Sequence, residues 1–398
     1  MRRLHPGRDY RKAQNIEELR AIAQRRLPNF SFEYIEGGSD DETTLRRNRS
    51  VFEHIALCPH TLRDVGQRDL QTQWFGARSA LPFMIGPTGF NGLITDQGDL
   101  HLARAAAQAG IPFVLSNAST TAIEDIAQIE GLRVWMQIYL YRTRDHVAKL
   151  IERLKALELE AIVVTTDSAI FGNREWDRRN YAKPMKLDWR NQIDVVRHPR
   201  WIWDVLIPNG VPRFKNLGDL LPPGRDSVKG AASALANELD PTLSWKDIAW
   251  IRDLWPGKLI VKGLTQPEDV AMALKYGVDA IVLSNHGGRQ LDGSISAVEA
   301  LPAAVALTKG KMGLFVDGGF RRGSDIIKAL LLGADGVLLG RAGLYGLAAG
   351  GRQGAQHAID ILRTETDRTL GLLGCRSLAD LHPGLIHEST WRFIHKTT

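Results

Sequence analysis

The segment Ser284–Asp292 contains a candidate base and a candidate carboxylate-binding arginine, separated by two glycines. His286 follows the apolar run Ala280–Leu283, which is typical of a buried strand. Arg289 lies three residues further on, and the two glycines allow the chain to turn sharply and approach a ligand. An imidazole can accept a proton, and a guanidinium can bind a carboxylate through two parallel hydrogen bonds. The segment therefore predicts an enzyme that holds a carboxylate and acts on the neighbouring carbon.

Eight short apolar runs alternate with amphipathic segments after residue 80. The predicted strands are Pro82–Gly86, Phe113–Ser116, Val134–Ile138, Ala161–Thr165, Leu259–Lys262, Ala280–Ser284, Leu314–Asp317 and Gly336–Gly340. Helical patterns between them include Asp99–Gly110, Thr143–Leu157, Gln266–Tyr276 and Gly323–Leu332. An open sheet is the competing fold, but no G-x-G-x-x-G or Walker-type loop follows the first strand. The sequence predicts an α/β fold, a (β/α)8 TIM barrel of parallel strands.

Two additions extend this barrel. Residues 1–80 form an N-terminal extension, predicted to be helical around Ile16–Arg26 and Ser31–Gly37, and residues 81–380 form the barrel. Residues 381–398 are a C-terminal tail. The span 172–244, between the fourth and fifth strands, is far longer than an ordinary connection. This insertion is rich in tryptophan, and its charges nearly cancel.

Composition restricts the possible partners and the location. The formal net charge of +6 is modest, although residues 1–30 contain eight Arg and Lys against three acidic residues. That cluster favours either an anionic lipid or nucleic acid, or simply a solvated helical face. Nucleic-acid motifs are absent, so no nucleic-acid partner is predicted. The two cysteines, Cys58 and Cys375, have no metal-type spacing, which predicts free thiols, a cytoplasmic location and no metal site.

Active sites of TIM barrels lie at the carboxyl ends of the strands, and here every end is polar or glycine-rich. In chain order the ends provide Pro87, Thr88 and Gly89; Ser116; Gln137 and Tyr139; Thr165, Asp167 and Arg174; Lys262; Ser284, His286 and Arg289; Asp317, Gly318, Gly319 and Arg321; and Gly340 and Arg341. The last two turns combine glycines with arginines, as the phosphate sites of such barrels do. Without a Rossmann turn, the predicted ligand is a mononucleotide.

Two residues of this set have several interpretations. Lys262 ends a buried strand, where a lysine is costly unless it faces an anion. It can form a Schiff base, pair with a carboxylate, or offset the charge of a reduced flavin. Asp167 either caps the loop after the fourth strand or pairs with His286 and raises its basicity.

These residues resemble a known family, the FMN-dependent L-2-hydroxy-acid dehydrogenases and oxidases. The resemblance runs from about Asn15 to Gly374, with Ser284–Asp292 as its active-site signature. The chain is most similar to the bacterial (S)-mandelate dehydrogenase branch, through the segments Pro87–Gly92, His198–Trp201 and Trp250–Pro256. The resemblance implies FMN as cofactor and oxidation of an L-2-hydroxy acid to a 2-keto acid.

The resemblance also implies a role for each site residue. His286 is then the base, Asp167 its partner, and Tyr139 a donor to the substrate oxygen. Arg289, Arg174 and Tyr34 bind the substrate carboxylate, and Lys262 stabilises the reduced flavin. The isoalloxazine is bound by Ser116, Gln137 and Thr165, with Pro87, Thr88 and Gly89 lining it.

Two positions bear on the substrate and the electron acceptor. Glycolate oxidase has tryptophan where this chain has Ala118, which implies a roomier pocket suited to an aromatic, mandelate-like substrate. Oxidases commonly have alanine where Gly89 stands, which favours the mandelate or lactate dehydrogenase branch. An L-lactate dehydrogenase, an oxygen-using oxidase, and a non-catalytic flavin- or phosphate-binding barrel remain the alternatives. A lyase or isomerase that uses Lys262 is the alternative among other barrel enzymes.

The insertion has two interpretations in the family. It either docks on the inner face of the cell membrane, where quinone is the electron acceptor, or forms a mobile lid over the site. Trp201, Ile202, Trp203, Leu206 and Ile207 are the candidates for the docking face. Analogy with relatives also implies a homotetramer.

Overall fold

A closed barrel of eight parallel strands forms the centre of the computed structural model, which describes residues 7–183, 186–217, 220, 237–308 and 310–391. The strands are β1 Phe83–Ile85, β2 Phe113–Ser116, β3 Val134–Tyr139, β4 Ala161–Thr165, β5 Lys258–Leu264, β6 Ala280–Leu283, β7 Gly313–Asp317 and β8 Gly336–Leu339. Strand β8 pairs with β1 and so closes the barrel. The predicted TIM barrel is confirmed, and every predicted strand is present within two residues of its expected ends.

Large side chains fill the interior of the barrel. Met84, Trp135, Ile260 and Phe315 point inward from different strands and are almost fully buried. A short hairpin, Thr72–Trp74 and Ala77–Ser79, closes the amino end, and Trp74 lies edge-on to Phe315 with the ring centres 5.4 Å apart. The interior of the barrel is therefore a packed core.

Helices surround the barrel and continue into both terminal regions. The N-terminal helices are Ile16–Arg26, Asn29–Glu36 and Thr43–Ser50, with 3-10 turns at Tyr10–Lys12 and Val51–His54. The helices between and after the strands are Gly98–Ala109, Ile123–Ala127, Arg144–Ala156, Trp245–Leu254, Pro267–Lys275, Leu301–Thr308, Gly323–Leu331 and Arg341–Leu372. The last of these is interrupted by non-helical backbone at Gly350 and Gly351.

The N-terminal extension and the C-terminal segment pack on each other. The backbone N–H of Ala56 donates to Thr390 Oγ1 at 3.0 Å, and Leu57 forms a β-bridge with Ile386. Leu385 is fully buried, and 3-10 turns occur at Leu378–Asp380 and Pro383–Leu385. The predicted tail is thus packed against the body of the protein up to residue 391.

The insertion after β4 folds into short helices and a hairpin. Its elements are Glu175–Arg179, the strands Tyr181–Lys183 and Lys186–Leu187, Trp189–Val196, and a helical run composed of Pro199–Trp201, Ile202–Leu206 and Ile207–Asn209. One part of the predicted docking face was wrong: Trp201 is buried. Its indole N–H donates to the Leu93 carbonyl at 2.8 Å, and its ring contacts Phe30 edge-on. Trp201 therefore anchors the insertion to the N-terminal extension.

Candidate active site

A cavity of about 900 Å³ opens at the carboxyl end of the barrel. Eighteen of the twenty site residues that the sequence predicts line this cavity: Tyr34, Pro87, Thr88, Gly89, Ser116, Gln137, Tyr139, Thr165, Arg174, Lys262, His286, Arg289, Asp317, Gly318, Gly319, Arg321, Gly340 and Arg341. The other two, Asp167 and Ser284, lie behind it and bond to residues that line it. The fold therefore brings together residues from all eight strand ends and from the helix Asn29–Glu36.

His286 and Asp167 form a buried pair at this end of the barrel. His286 Nδ1 lies 2.9 Å from Asp167 Oδ1, and the Ser168 hydroxyl also donates to that oxygen at 3.1 Å. Residue 286 has a left-handed backbone (φ 58°), which directs its side chain from the end of β6 into the cavity. With Nδ1–H facing the carboxylate, the imidazole keeps Nε2 available to accept a proton.

Burial and charge act in opposite directions on this pair. Burial lowers the pKa of His286, and Asp167 offsets that effect only in part, so the pKa lies below the ordinary value of 6.5. Burial also acts to raise the pKa of Asp167, but His286, which is protonated at the acidic pH where this carboxyl titrates and is hydrogen-bonded to it, and the charge of Lys262 outweigh burial and lower that pKa. The pair is thus a neutral imidazole beside an ionised carboxylate at neutral pH, which is the state required of a general base.

Lys262 is held in an anionic pocket at the centre of the strand ends. Its Nζ lies 3.0 Å from Asp317 Oδ2 and donates to Ser284 Oγ at 2.8 Å, and the side chain is 4% exposed. Burial acts to lower the pKa of Lys262, but Asp317 and Asp167 outweigh it, so the pKa is raised and the ammonium stays charged. A fixed positive charge at this point of the cavity suits an anionic ligand and excludes a neutral, nucleophilic amine.

Gly263 explains how Lys262 and Asp167 approach each other. Strand β5 continues one residue beyond Gly263, and the register between β5 and β6 shifts at this point. Gly263 has φ 112°, and a Cβ there would lie 2.8 Å from the side chain of Asp167. Only glycine allows this bulge, so the sequence pair Lys262-Gly263 places the ammonium and the carboxylate side by side.

Part of the Arg289 guanidinium is available for a ligand. Its Nη1 donates to the carbonyls of Tyr34 and Gly37 at 2.8 and 2.7 Å, which fixes the plane of the guanidinium. Its Nη2 is buried and has no hydrogen-bond partner among the described residues. Asp177 Oδ2 lies 3.5 Å from Nη2, which is an ion pair but not a hydrogen bond. A buried guanidinium N–H without a hydrogen bond is costly, and a carboxylate bound in the cavity would satisfy it.

Arg174 lies beside this group. Its Nε donates to the Arg289 carbonyl at 3.2 Å, and its side chain lies over the ring of Phe171. Burial and the like charge of Arg289 lower the pKa of Arg174 to about 10, so Arg174 is cationic at neutral pH. Two adjacent guanidiniums in one cavity provide a strong site for an anion.

Two tyrosines face the same space. Burial raises the pKa values of Tyr34 and Tyr139 to about 12, so both phenols remain protonated. The Tyr34 hydroxyl donates weakly to the Gly89 carbonyl at 3.4 Å, and Tyr139 is placed by pairing of its strand β3 with Thr165 of β4. Both are therefore able to donate hydrogen bonds to a substrate.

The opposite wall of the cavity presents neutral polar groups. Ser116 of β2 pairs in register with Gln137 of β3, and the serine hydroxyl donates to Gln137 Oε1 at 3.0 Å. That bond turns Gln137 Nε2 inward, where it is buried without a partner in the described part of the chain. Thr165, Pro87, Thr88 and Gly89 complete this wall. The amide N–H of Gln137, which has no partner within the described ranges, suits the polar edge of a flavin ring. The segment Pro87–Gly89 suits the face of that ring.

The turns after β7 and β8 form the narrow end of the cavity. Gly319 has φ 88°, and a Cβ there would lie 1.9 Å from the Asn48 carbonyl oxygen, so only glycine fits. Arg321 is held beside the Tyr345 ring, and the helix Arg341–Leu372 begins directly after Gly340. Arg341 differs from expectation, because all three of its nitrogens donate to the carbonyls of Ile35, Gly37 and Gly287. These glycine turns, Arg321 and the helix start suit a phosphate.

Two residues that sequence reasoning did not single out also shape the site. The Asp177 carboxylate lines the cavity 3.5 Å from Arg289 Nη2, one helical turn beyond Arg174. Gln290 donates to the carbonyls of Asp167 and Ile170 and accepts from Arg174, which ties the loop after β4 to Ser284–Asp292. The spacing Arg174–Asp177 was a readable signal, since residues three apart share a helix face. Gln290 carried no such signal.

Comparisons with known proteins agree with this geometry. Residues 23–388 match the family model described as FMN-dependent dehydrogenase. The chain is 44% identical to (S)-mandelate dehydrogenase of Pseudomonas putida over 377 residues, covering 94% of each chain. It is 39% identical to an L-lactate dehydrogenase of Pectobacterium atrosepticum over 382 residues, covering 94% of this chain and 97% of that protein.

A solved structure is similar over nearly the whole chain. The crystal structure of the monotopic membrane protein (S)-mandelate dehydrogenase superposes with a TM-score of 0.89 at 41% identity, covering 94% of this chain and 99% of that one. Sequence, fold and cavity agree in one assignment. The chain belongs to the family of FMN-dependent dehydrogenases, and it is an oxidoreductase that acts on CH–OH donors with FMN as its cofactor.

Proposed function

We propose that this enzyme oxidises an aromatic L-2-hydroxy acid of the mandelate type to the corresponding 2-keto acid. The observation that carries the proposal is the buried Nη2 of Arg289, which has no hydrogen-bond partner among the described residues and only a 3.5 Å ion pair with Asp177, in the same cavity as the His286–Asp167 pair. A substrate whose carboxylate is bound by Arg289 would present its α-carbon and its hydroxyl group to the base, His286. The names of the relatives, mandelate and lactate dehydrogenase, support this substrate class.

The side chains divide the work of the reaction. Arg289 and Arg174 bind the carboxylate, and Tyr34 adds a hydroxyl donor beside it. His286 accepts a proton, from the α-carbon if hydrogen leaves as a proton or from the hydroxyl group if it leaves as hydride. Asp167 stabilises the imidazolium that forms, and Tyr139 donates to the substrate oxygen. FMN, when bound, accepts the two electrons that the substrate loses.

The remaining residues of the cavity would hold the cofactor. Gln137, Ser116 and Thr165 would bind the polar edge of the ring, and Pro87, Thr88 and Gly89 would lie against it. Lys262, oriented by Asp317 and Ser284, would face the pyrimidine edge with its positive charge. Gly318, Gly319, Arg321, Gly340 and Arg341 would surround the phosphate, and Arg341 would have to exchange at least one of its carbonyl partners to contact it directly.

The choice between an aromatic and a small substrate depends on Ala118. This residue lines the cavity next to Gly89 and is 8% exposed. In Ala118→Leu, three added carbons occupy the space that a phenyl ring would need. We expect the ratio of kcat/KM for mandelate to kcat/KM for lactate to fall by about 10- to 100-fold. Steady-state assays with both acids and one artificial electron acceptor measure this ratio, and an unchanged ratio would place the side-chain pocket elsewhere.

The fall of kcat/KM at acidic pH reports the protonation of the proposed base, His286. Because its pKa is lowered, His286 stays deprotonated below pH 6.5 and becomes protonated, and inactive, as the pH falls further. We therefore expect kcat/KM to be flat near neutral pH and to decline with an inflection below 6.5. An inflection clearly above 6.5 would mean that the imidazole is stabilised as a cation in the free enzyme, contrary to this account.

Peripheral membrane association, with quinone as the electron acceptor, is the second part of the proposal. Within the described ranges, no helix is both long and apolar enough to cross a bilayer. The insertion nevertheless exposes large apolar side chains: Trp189, Ile193, Val196, Trp203, Ile207 and Val211. Trp203 and Ile207 are 69% and 61% exposed and lie one helical turn apart. A cluster of this kind suits the interface of a bilayer.

Removing this apolar surface should release the protein from membranes. We expect Trp203→Ser combined with Ile207→Ser to weaken binding to phospholipid vesicles by at least about tenfold, because two large apolar side chains no longer enter the interface. Activity with a soluble acceptor should stay unchanged, since neither residue lines the cavity. Vesicle cosedimentation measures the binding; equal binding of the variant and the natural protein would favour the lid interpretation instead.

A panel of 2-hydroxy acids tests the proposed function. Mandelate, lactate and glycolate are assayed with oxygen, with a soluble quinone analogue and with an artificial acceptor. We expect mandelate to give the highest kcat/KM and the quinone analogue to exceed oxygen as acceptor. A preference for lactate would favour the lactate dehydrogenase alternative, and rapid peroxide formation the oxidase. The homotetramer that the resemblance implies is tested separately by sedimentation of the holoenzyme.

A further inference from the structure

A second cavity, of about 310 Å³, lies outside the active site where three parts of the chain meet. The N-terminal extension contributes Tyr10 and Arg26, the insertion contributes Arg200 and Asp204, and the helix Arg341–Leu372 contributes the break at Gly350–Gly351. None of the residues assigned to FMN or substrate lines it. Its lining is mostly polar, which is unusual for a gap between packed helices.

The charges in this cavity are not balanced. Arg26 and Arg200 share one carboxylate, Asp204, at 3.6 and 3.7 Å, and these distances exceed those of a charge-assisted hydrogen bond. Across the described ranges, neither guanidinium has a shorter acidic partner. Two positive charges against one negative charge leave a net charge of +1. Burial and the like charge of Arg200 lower the pKa of Arg26, and a bound anion would offset this effect.

The cavity also lies next to the exposed apolar surface of the insertion. Arg200 precedes Trp203 by three residues, and Asp204 precedes Ile207 by three, within the helical run Pro199–Asn209. A phosphate bound between Arg26 and Arg200 would therefore lie within a few residues of two exposed apolar side chains suited to the acyl region, on a helical run that includes the π-helix Ile202–Leu206. This combination of cationic pocket and apolar neighbour matches a phospholipid, whereas a free phosphate would use only the pocket.

We propose that this cavity binds the anionic headgroup of a membrane phospholipid, with Arg26 and Arg200 holding its phosphate. The proposal rests on the membrane association proposed above and adds a specific site to it. The site would fix the orientation of the protein on the bilayer, because it joins the N-terminal extension, the insertion and the last helix at one point.

The test uses the FMN-loaded enzyme and vesicles of phosphatidylcholine with or without one-fifth phosphatidylglycerol. We expect the anionic lipid to tighten binding of the natural protein, and Arg26→Gln and Arg200→Gln each to weaken binding to the mixed vesicles by about fivefold, in line with one charge near a membrane surface. Arg197→Gln removes the same charge from an exposed position of the insertion outside the cavity, so it should cost no more than about twofold. Activity with a soluble acceptor reports that each variant is folded.

The outcomes separate the site from its alternatives. If Arg197→Gln and Arg200→Gln weaken vesicle binding equally, the proposed site is wrong, and the general positive charge of the surface attracts the anionic lipid. Full competition by millimolar inorganic phosphate would overturn the lipid assignment in favour of a free-anion site. Unchanged binding of the two cavity variants, with phosphatidylcholine binding intact, would refute the site alone. Failure to bind any vesicle would refute membrane association and the site together.

Discussion

Replacing His286 with asparagine is expected to lower kcat for mandelate by about 10³- to 10⁴-fold, the contribution of a positioned general base. Asparagine suits this position because residue 286 has a left-handed backbone, which asparagine tolerates better than most residues. The variant loses the imidazole that faces both Asp167 and the cavity and can accept a proton near neutral pH. Rapid-mixing and steady-state assays of the FMN-loaded variant measure the loss.

The control for this variant is the bound cofactor. His286 is assigned no contact that holds FMN, so His286→Asn should remain yellow, with a flavin content close to that of the natural protein. His387→Asn changes an exposed histidine whose ring bonds to nearby Ser389, and this variant should be indistinguishable from the natural protein. A kcat within tenfold of the natural value would show that another group is the base.

Replacing Arg289 with methionine is expected to reduce kcat/KM for mandelate by about 10²- to 10³-fold. The substitution removes Nη2, which has no hydrogen-bond partner in the described part of the chain, and leaves Arg174 as the remaining guanidinium for the substrate carboxylate. The loss of one partner from a buried charge pair lowers binding by about this factor. Because the carboxylate is bound before and during the reaction, both KM and kcat should change. Steady-state kinetics over a wide range of mandelate concentrations measure both.

A neutral substrate separates recognition of the carboxylate from general damage to the site. Mandelamide has no carboxylate, so the natural enzyme should oxidise it poorly, and Arg289→Met should change that low rate by no more than a few-fold. If the variant loses mandelate and mandelamide activity in equal measure, Arg289 supports the structure of the site and does not recognise the carboxylate. Arg174→Met, tested in the same way, should show the same selectivity with a smaller loss.

The barrel could be predicted from sequence because its signals are local and repeated. Each strand is a short apolar run, and each is followed by a helical pattern, so the order alone indicates a closed parallel sheet. The hairpin Thr72–Ser79 could not be predicted, since each of its strands has three residues and its turn, Phe75-Gly76, places phenylalanine at φ 55°. Turns of this type are normally recognised by Asn-Gly or Asp-Gly.

The insertion shows where sequence patterns stop being informative. Trp201, Ile202 and Trp203 are consecutive apolar residues, and no period distinguishes the buried one from the exposed one. The backbone also changes to a π-helix over Ile202–Leu206, which shifts the face that each side chain occupies. Contacts with Phe30 and Leu93, more than a hundred residues away in sequence, decide that Trp201 is buried.

The residues of the candidate site could be predicted from the sequence, but the contacts between their side chains could not. The residues of the site could be identified from the strand ends, because a barrel brings the carboxyl ends of its eight strands together. The sequence did not indicate that Lys262 pairs with Asp317, that Arg341 donates to backbone carbonyls, or that Asp177 lies beside Arg289. These contacts depend on side-chain directions and on the helix Asn29–Glu36 crossing the cavity.

Anaerobic reduction of the purified holoenzyme by its substrate tests the central claim most directly. Protein loaded with FMN is mixed with (S)-mandelate in the absence of oxygen, and the visible flavin absorbance is followed. We expect rapid bleaching by (S)-mandelate and none by the (R)-enantiomer, with one 2-keto acid formed for each flavin reduced. Protein that cannot be loaded with FMN, or that binds FMN and is not bleached by any 2-hydroxy acid, would contradict the assignment of this cavity as the site of 2-hydroxy-acid oxidation.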